Sequence, residues 1–375
     1  MSTNPASDIM VTKPYLPPFA EYVDELRDLW DTASITNQGV KHRCLQQQLE
    51  NFLDVPHAEL FANGHLALEA AISIFQPDGE IITTPFTFAS TVQAILRSRC
   101  TPVFCDINAY DYTIDVSKIE ALITEKTRAI LPVHVYGNIC DVEAIAKLAD
   151  KYSLKVIYDA AHAFGETYKG VSVANFGDAV MFSFHATKSF HTVEGGCVAY
   201  KNDSYTEPLQ AVRQFGQIPG TENFPYSGGN AKMSEFHAAM GLCNLRHYAE
   251  FTEQRRAVCS IYREALHDVP GLRLLRHNPD VVRNYTYFPV LIDEIPSGVS
   301  RDMVLETLKK HRVYPRKYFS PLCSDFAVIK SMGLQADTPT AGCTADRILA
   351  LPCYAGLTAE QVQSICSILL SLYNR

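Results

Sequence analysis

The chain predicts an α/β fold: a mostly parallel sheet covered by helices on both faces, followed by a smaller second unit. Three observations carry this reading. From about Asn63 to Tyr200, short apolar and β-branched runs alternate with amphipathic helical stretches, as strands buried on both faces do. At 375 residues the chain is too long for one compact core. After Lys232 the pattern changes to a long helical stretch, and then to short strands mixed with helices. The boundaries that follow are an N-terminal arm and helix over 1–35, a large unit over 36–245, and a linking helix with a small α+β unit over 246–375.

The elements follow in order. Met1 to Asp8 reads as a loose tail, and Lys13-Pro14-Tyr15-Leu16-Pro17-Pro18 is too proline-rich for a helix. Helical spacing runs from Phe19 to Trp30, Leu66 to Phe75, Thr91 to Arg97 and Val142 to Tyr152. Strand-like runs fall at Glu80 to Thr84, Arg128 to Val133, Lys155 to Tyr158, Ala179 to Phe184 and Cys197 to Tyr200. One long helix is expected from Lys232 towards His267, broken by Pro270-Gly271. A strand over Tyr285 to Ile292 and helices over Arg301 to His311 and Ala359 to Tyr373 complete the chain. In such sheets ligands sit beyond the carboxyl ends of the strands, so those ends carry the interest.

Composition narrows the function. Net charge is −8 with no basic run, which argues against nucleic acid and membrane surfaces as partners. The 11 cysteines include no CxxC pair, so neither a zinc site nor a disulfide framework is expected. Buried, reduced thiols in a cytoplasmic enzyme are expected instead. No signal peptide and no membrane span is read from the sequence.

The densest segment is Phe182-Ser183-Phe184-His185-Ala186-Thr187-Lys188, which leads to Glu194-Gly195-Gly196. A strand ends in a polar loop with one lysine, and two glycines allow the chain to turn back. An amine buried at such a strand end has its pKa lowered and can attack a carbonyl. A solvated surface lysine is the plain alternative. Asp159 follows the apolar strand ending at Tyr158. A carboxylate there suits a pyridine nitrogen that must stay protonated, as pyridoxal phosphate requires; capping a following helix is the structural alternative. Asn63-Gly64-His65 opens a predicted helix whose free amides favour a phosphate, and Ser183 adds a hydroxyl. Phe88 follows a strand, where spacing alone makes it a core residue.

Eight ordered blocks share one resemblance. They are Thr36-Asn37-Gln38-Gly39, Asn63 to Leu68, Pro85 to Phe88, Pro102 to Asp106, Pro132 to Gly137, Asp159 to His162, Ser183 to Lys188 with Glu194-Gly195-Gly196, and Gly229 to Met233. Over roughly residues 12 to 357 the chain resembles the DegT/DnrJ/EryC nucleotide-sugar aminotransferases. That resemblance implies a pyridoxal-phosphate-dependent transferase of fold type I, like aspartate aminotransferase. It implies Lys188 as the Schiff-base and proton-shuttling lysine, Asp159 at the pyridine nitrogen and His162 at the ring hydroxyl, where the family usually has glutamine. It places Phe88 on the ring face, against the reading from spacing. Gly64, His65 and Ser183 would hold the phosphate, and Asn230 would reach the phosphate in a neighbouring subunit, making a homodimer with shared sites. His65 replaces the usual threonine and Lys232 the usual arginine.

Pyridoxamine phosphate would carry the amine from L-glutamate to a keto sugar linked to dTDP. Thr36, Asn37, Tyr285, Arg316 and Tyr318 would contact that substrate, and Glu194 would orient the sugar or His185, which is itself counted with the catalytic residues. Within the family, the strings around Lys188 and Tyr314 to Phe319 resemble the subgroup that aminates a 4-keto-6-deoxyglucose at C4 to the equatorial amine. A 3-keto acceptor, or the axial 4-amine, is the alternative. A dehydratase of the same fold would carry histidine in place of Lys188. A pyridoxal-phosphate-binding regulator, the non-enzyme reading, would need a nucleic-acid-binding module or a damaged site.

Overall fold

Seven strands form the central sheet of the computed structural model, which describes residues 8–75 and 78–373. Across the sheet they run His57–Phe61, Gly196–Tyr200, Ala179–Ser183, Lys155–Asp159, Thr127–Ile130, Glu80–Thr83 and Thr101–Phe104. Only Gly196–Tyr200 is antiparallel to its neighbours. The middles of the strands are mostly apolar because both faces are covered. One face packs Leu45, Leu49, Ile145 and Phe182 with the helices Val40–Leu53 and Val142–Tyr152. The other packs Phe61, Leu68, Ile95 and Met181 with the helices Gly64–Ser73 and Ala89–Arg97.

A second core lies towards the C-terminus. The helices Tyr248–Leu266, Arg301–Lys310 and Ala359–Tyr373 cover an antiparallel sheet of Leu272–Leu274, Phe288–Ile292 and Ile348–Leu351. A third cluster bridges the two cores, and includes Phe86, Tyr136, Tyr287 and Phe319. The N-terminal arm closes over the molecule: Ile9–Met10 pairs in parallel with Val313–Tyr314, and the Tyr15 carbonyl meets His191 Nε2 at 2.6 Å.

Several expected elements shift for local reasons. The helix expected from Leu66 starts at Gly64, because Asn63 Oδ1 caps it by accepting from the Leu66 amide at 2.9 Å. The long helix expected after Lys232 is two helices, Glu235–Arg246 and Tyr248–Leu266, meeting at His247. Ser234 caps the first by accepting from the His237 amide. The helix Val40–Leu53 and the strand His57–Phe61, which the periodicity reading passed over, are both present. Of the tail expected over Met1 to Asp8, all but Asp8 lies outside the described residues. All 11 cysteines are free thiols, but Cys44 and Cys343 are exposed, correcting the expectation that all are buried. Among the described residues no helix is long and apolar enough to cross a membrane.

Candidate active site

The site is built at the carboxyl ends of the parallel strands. Lys188 sits on a loop tied back on itself: the Phe184 amide donates to the Gly195 carbonyl at 2.8 Å, and the Thr192 amide to the Phe184 carbonyl at 3.0 Å. Phe184 and Phe190, both fully buried, anchor this loop by packing against Phe164. Gly195 is required there, because a Cβ would lie 2.0 Å from Thr192 Oγ1. Lys188 itself is half-buried, and desolvation lowers its pKa to about 8, with Asp159 opposing the shift.

Asp159 is the last residue of its strand and is buried. Its Oδ2 accepts from Thr91 Oγ1 at 2.7 Å, and its Oδ1 from the Ala161 amide at 3.1 Å. Burial raises its pKa, while the Thr91 hydroxyl, the Ala161 amide and the Lys188 charge pull the other way. No helix follows Asp159, so capping does not account for it. His162 is buried too, and its Nδ1 accepts from the Tyr136 amide at 3.0 Å. Burial and the Lys188 charge hold its pKa well below the usual value, which keeps the ring neutral. With Nδ1 accepting, Nε2 carries the hydrogen.

These groups line one cavity of about 620 Å³. Of the residues singled out in the sequence, Lys188, Asp159, His185, Gly64, His65, Phe88, His162, Ser183, Glu194 and Tyr318 all face it. Phe88 is 59% exposed on the cavity wall, which rules out the core reading that spacing suggested. His185 and Glu194 stand 3.6 Å apart in an exposed pair at the rim, and His185 Nδ1 is 2.8 Å from Thr187 Oγ1.

Five candidates lie outside the lining: Thr36, Asn37, Asn230, Tyr285 and Arg316. The first three and Arg316 are exposed. Asn230 Oδ1 accepts from Lys232 Nζ at 2.8 Å. Tyr285 has a left-handed backbone, φ 56°, which turns its ring towards the C-terminal core and His277. Tyr287 takes the cavity position instead, its ring centroid 5.9 Å from Lys188 Nζ. The periodicity reading also passed over Ser90 and Gln93 on the cavity wall, and Thr91 behind Asp159. Their signal was available in the helix that follows Phe88, whose first turn faces the site.

The cavity fits pyridoxal phosphate. An amine of lowered pKa and a buried carboxylate that makes no ion pair among the described residues face the same space, beside an exposed aromatic ring. At one end the helix Gly64–Ser73 points its N-terminus into the cavity, where the first amides have no carbonyl behind them. Gly64 keeps this end open: a Cβ there would come within 2.9 Å of Ser183 Oγ.

The model of the DegT/DnrJ/EryC1/StrS aminotransferase family matches residues 19–370. The chain belongs to that family. It is 41% identical over 367 residues to an Escherichia coli dTDP-4-amino-4,6-dideoxy-D-glucose transaminase, covering 96% of this chain and 98% of the relative. It is 39% identical over 359 residues to the Shigella dysenteriae transaminase of the same name, covering 96% and 97%. Among solved structures, DesI in the presence of its TDP-sugar product superposes with a TM-score of 0.94 at 32% identity, covering 98% of this chain and 94% of that one. The fold is therefore that of the sugar aminotransferases.

Proposed function

We propose that this aminotransferase uses pyridoxal phosphate to move the amino group of L-glutamate to C4 of dTDP-4-keto-6-deoxy-D-glucose, giving dTDP-4-amino-4,6-dideoxy-D-glucose. One observation carries the substrate: two relatives at 39% and 41% identity, aligned over nearly their full lengths, are both dTDP-4-amino-4,6-dideoxy-D-glucose transaminases by name. The cavity supports the chemistry. When bound, the cofactor supplies a carbonyl that exchanges amines and a protonated ring that takes up the electron pair of a broken C–H bond.

The protein groups then have distinct tasks. Lys188, with a pKa near neutrality, takes a proton from the donor's Cα and returns one to the sugar carbon. Asp159, buried and in no ion pair among the described residues, would hold the ring nitrogen's proton. His162, with hydrogen on Nε2, would donate to the ring oxygen, and Phe88 would cover one ring face. His185, Glu194 and Tyr318, at the rim, orient the sugar.

Incubating the protein with L-glutamate and dTDP-4-keto-6-deoxyglucose tests this reading. The product should show large proton couplings at H4, the mark of an equatorial amine. Small couplings would reassign the product as the axial, galactose-like amine. Turnover only with a 3-keto sugar would overturn the position of amination.

A further inference from the structure

His65 occupies the phosphate end of the cavity, yet neither of its nitrogens is free to face a phosphate. Nε2 lies 2.8 Å from Glu69 Oε1, one helical turn on, and Nδ1 lies 2.9 Å from Ser90 Oγ. Glu69 is held from the other side by Arg97 Nε, and His65 and Arg97 together offset burial and lower its pKa. Arg97 and Ser90 belong to one helix, Ala89–Arg97, and His65 and Glu69 to another, Gly64–Ser73. The two helices are thus pinned together at both ends of a four-residue chain. Its inner end, Ser90 Oγ, stands in the cavity wall with Gly64, His65 and Ser183.

We propose that Ser90, held by His65, is a hydroxyl ligand of the cofactor's phosphate in this protein, beside Ser183. His65 is a positioning residue, and its own ring makes no phosphate contact. A hydroxyl has one hydrogen to give and two lone pairs to receive with. For Ser90 to donate to a phosphate it must accept from His65 Nδ1–H. His65 then donates from Nδ1 to Ser90 Oγ and from Nε2 to Glu69 Oε1. Phosphate, Ser90, His65, Glu69 and Arg97 then alternate acceptor and donor without a gap. The resemblance puts a threonine at position 65, which would supply a hydroxyl directly; here the hydroxyl comes from the neighbouring helix and the histidine holds it in place.

The inference rests on pyridoxal phosphate as the cofactor, and its test separates the two claims. Cofactor-free protein is titrated with pyridoxal phosphate and, separately, with pyridoxal, and both dissociation constants are read from absorbance and tyrosine fluorescence. Ser90→Ala should weaken pyridoxal phosphate about tenfold to a hundredfold and leave pyridoxal within about twofold, the loss of one hydrogen bond to a charged group. His65→Ala should cost about as much, and the double variant little more than either alone, because the two act in series. His65→Thr should recover much of the loss. Ser90→Ala that keeps the parent's affinity for pyridoxal phosphate overturns the proposal. So does an equal loss for both ligands, which would mark a structural role, and so does additive loss in the double variant. Failure of the parent to bind either ligand would instead reject the cofactor reading.

Discussion

Asp159 accepts from a hydroxyl and an amide, and has no cation at ion-pair distance among the described residues. A buried carboxylate in that state waits for a charge, and a protonated pyridine supplies one. Asp159→Asn should keep the fold and lower turnover on the order of a thousandfold, because the amide cannot hold that proton in place. Single-turnover kinetics at saturating glutamate give the measurement, and near-normal turnover would remove the carboxylate's role. Lys188 carries a pH prediction. Its pKa of about 8 lies below the ordinary lysine value, so the neutral, nucleophilic amine accumulates as pH rises through 8 and the ammonium prevails below. The rate at which cofactor-free protein captures pyridoxal phosphate should climb with pH, level off above about 8.5, and vanish in Lys188→Ala. Asp159 raises the lysine's pKa. In Asp159→Asn the inflection should therefore move to lower pH; an inflection that stays put or rises would contradict the assigned coupling.

At the scale of elements, one helix builds most of a wall of the site. Phe88, at the N-cap of Ala89–Arg97, presents the exposed ring, Ser90 lines the cavity beside His65 and Thr91 reaches under Asp159. Thr91 is fully buried, and its hydroxyl also stands 2.8 Å from Thr87 Oγ1, which makes a short relay behind the carboxylate. Thr91→Val preserves volume and removes that relay. It should lower kcat about tenfold and leave KM for both substrates within about twofold, the signature of an interaction that strengthens only as the ring takes up charge. A rise in KM with unchanged kcat would mean that Thr91 serves binding alone. The opposite wall depends on the glycines that let Gly196–Tyr200 return beside the helix N-terminus: a Cβ on Gly196 would come 2.6 Å from the Asn63 carbonyl oxygen. Periodicity could not find this contact, since it joins residues more than a hundred positions apart in sequence.

At the scale of the whole molecule, Asn230 is placed to reach beyond its own chain. It lies outside its own cavity, on an exposed segment bridged to Gln214, next to Phe215, which is 58% exposed. An apolar side chain left bare near a polar group with a proposed role fits an interface with a second copy. Neither Lys188→Ala nor Asn230→Ala protein should turn over well alone. Mixed and allowed to exchange, they form hybrid dimers in which one of the two sites keeps both residues. Since half the dimers are hybrids, activity should return to about a quarter of the parent's. No recovery after exchange, proven by mass spectrometry of the mixed dimer, would confine each site to one chain.

The sequence by itself determined the fold class and the chemistry. Apolar runs alternating with amphipathic helices leave few ways to bury both faces of a parallel sheet, and such a sheet exposes polar residues at its strand ends. Lys188, Asp159 and Ser183 were legible because each sits at or just beyond such an end. What packs around those ends was decided only by the tertiary structure. The Tyr136 amide that fixes which nitrogen of His162 carries hydrogen and the Ser90–His65 contact between two helices join residues 26 and 25 positions apart, and the left-handed backbone at Tyr285, beside which Tyr287 takes the cavity position, is a local turn that strand periodicity does not show. Periodicity reports the face on which a residue lies, but a hydrogen bond between elements depends on how closely those elements approach, and that is set by the packing of the whole core.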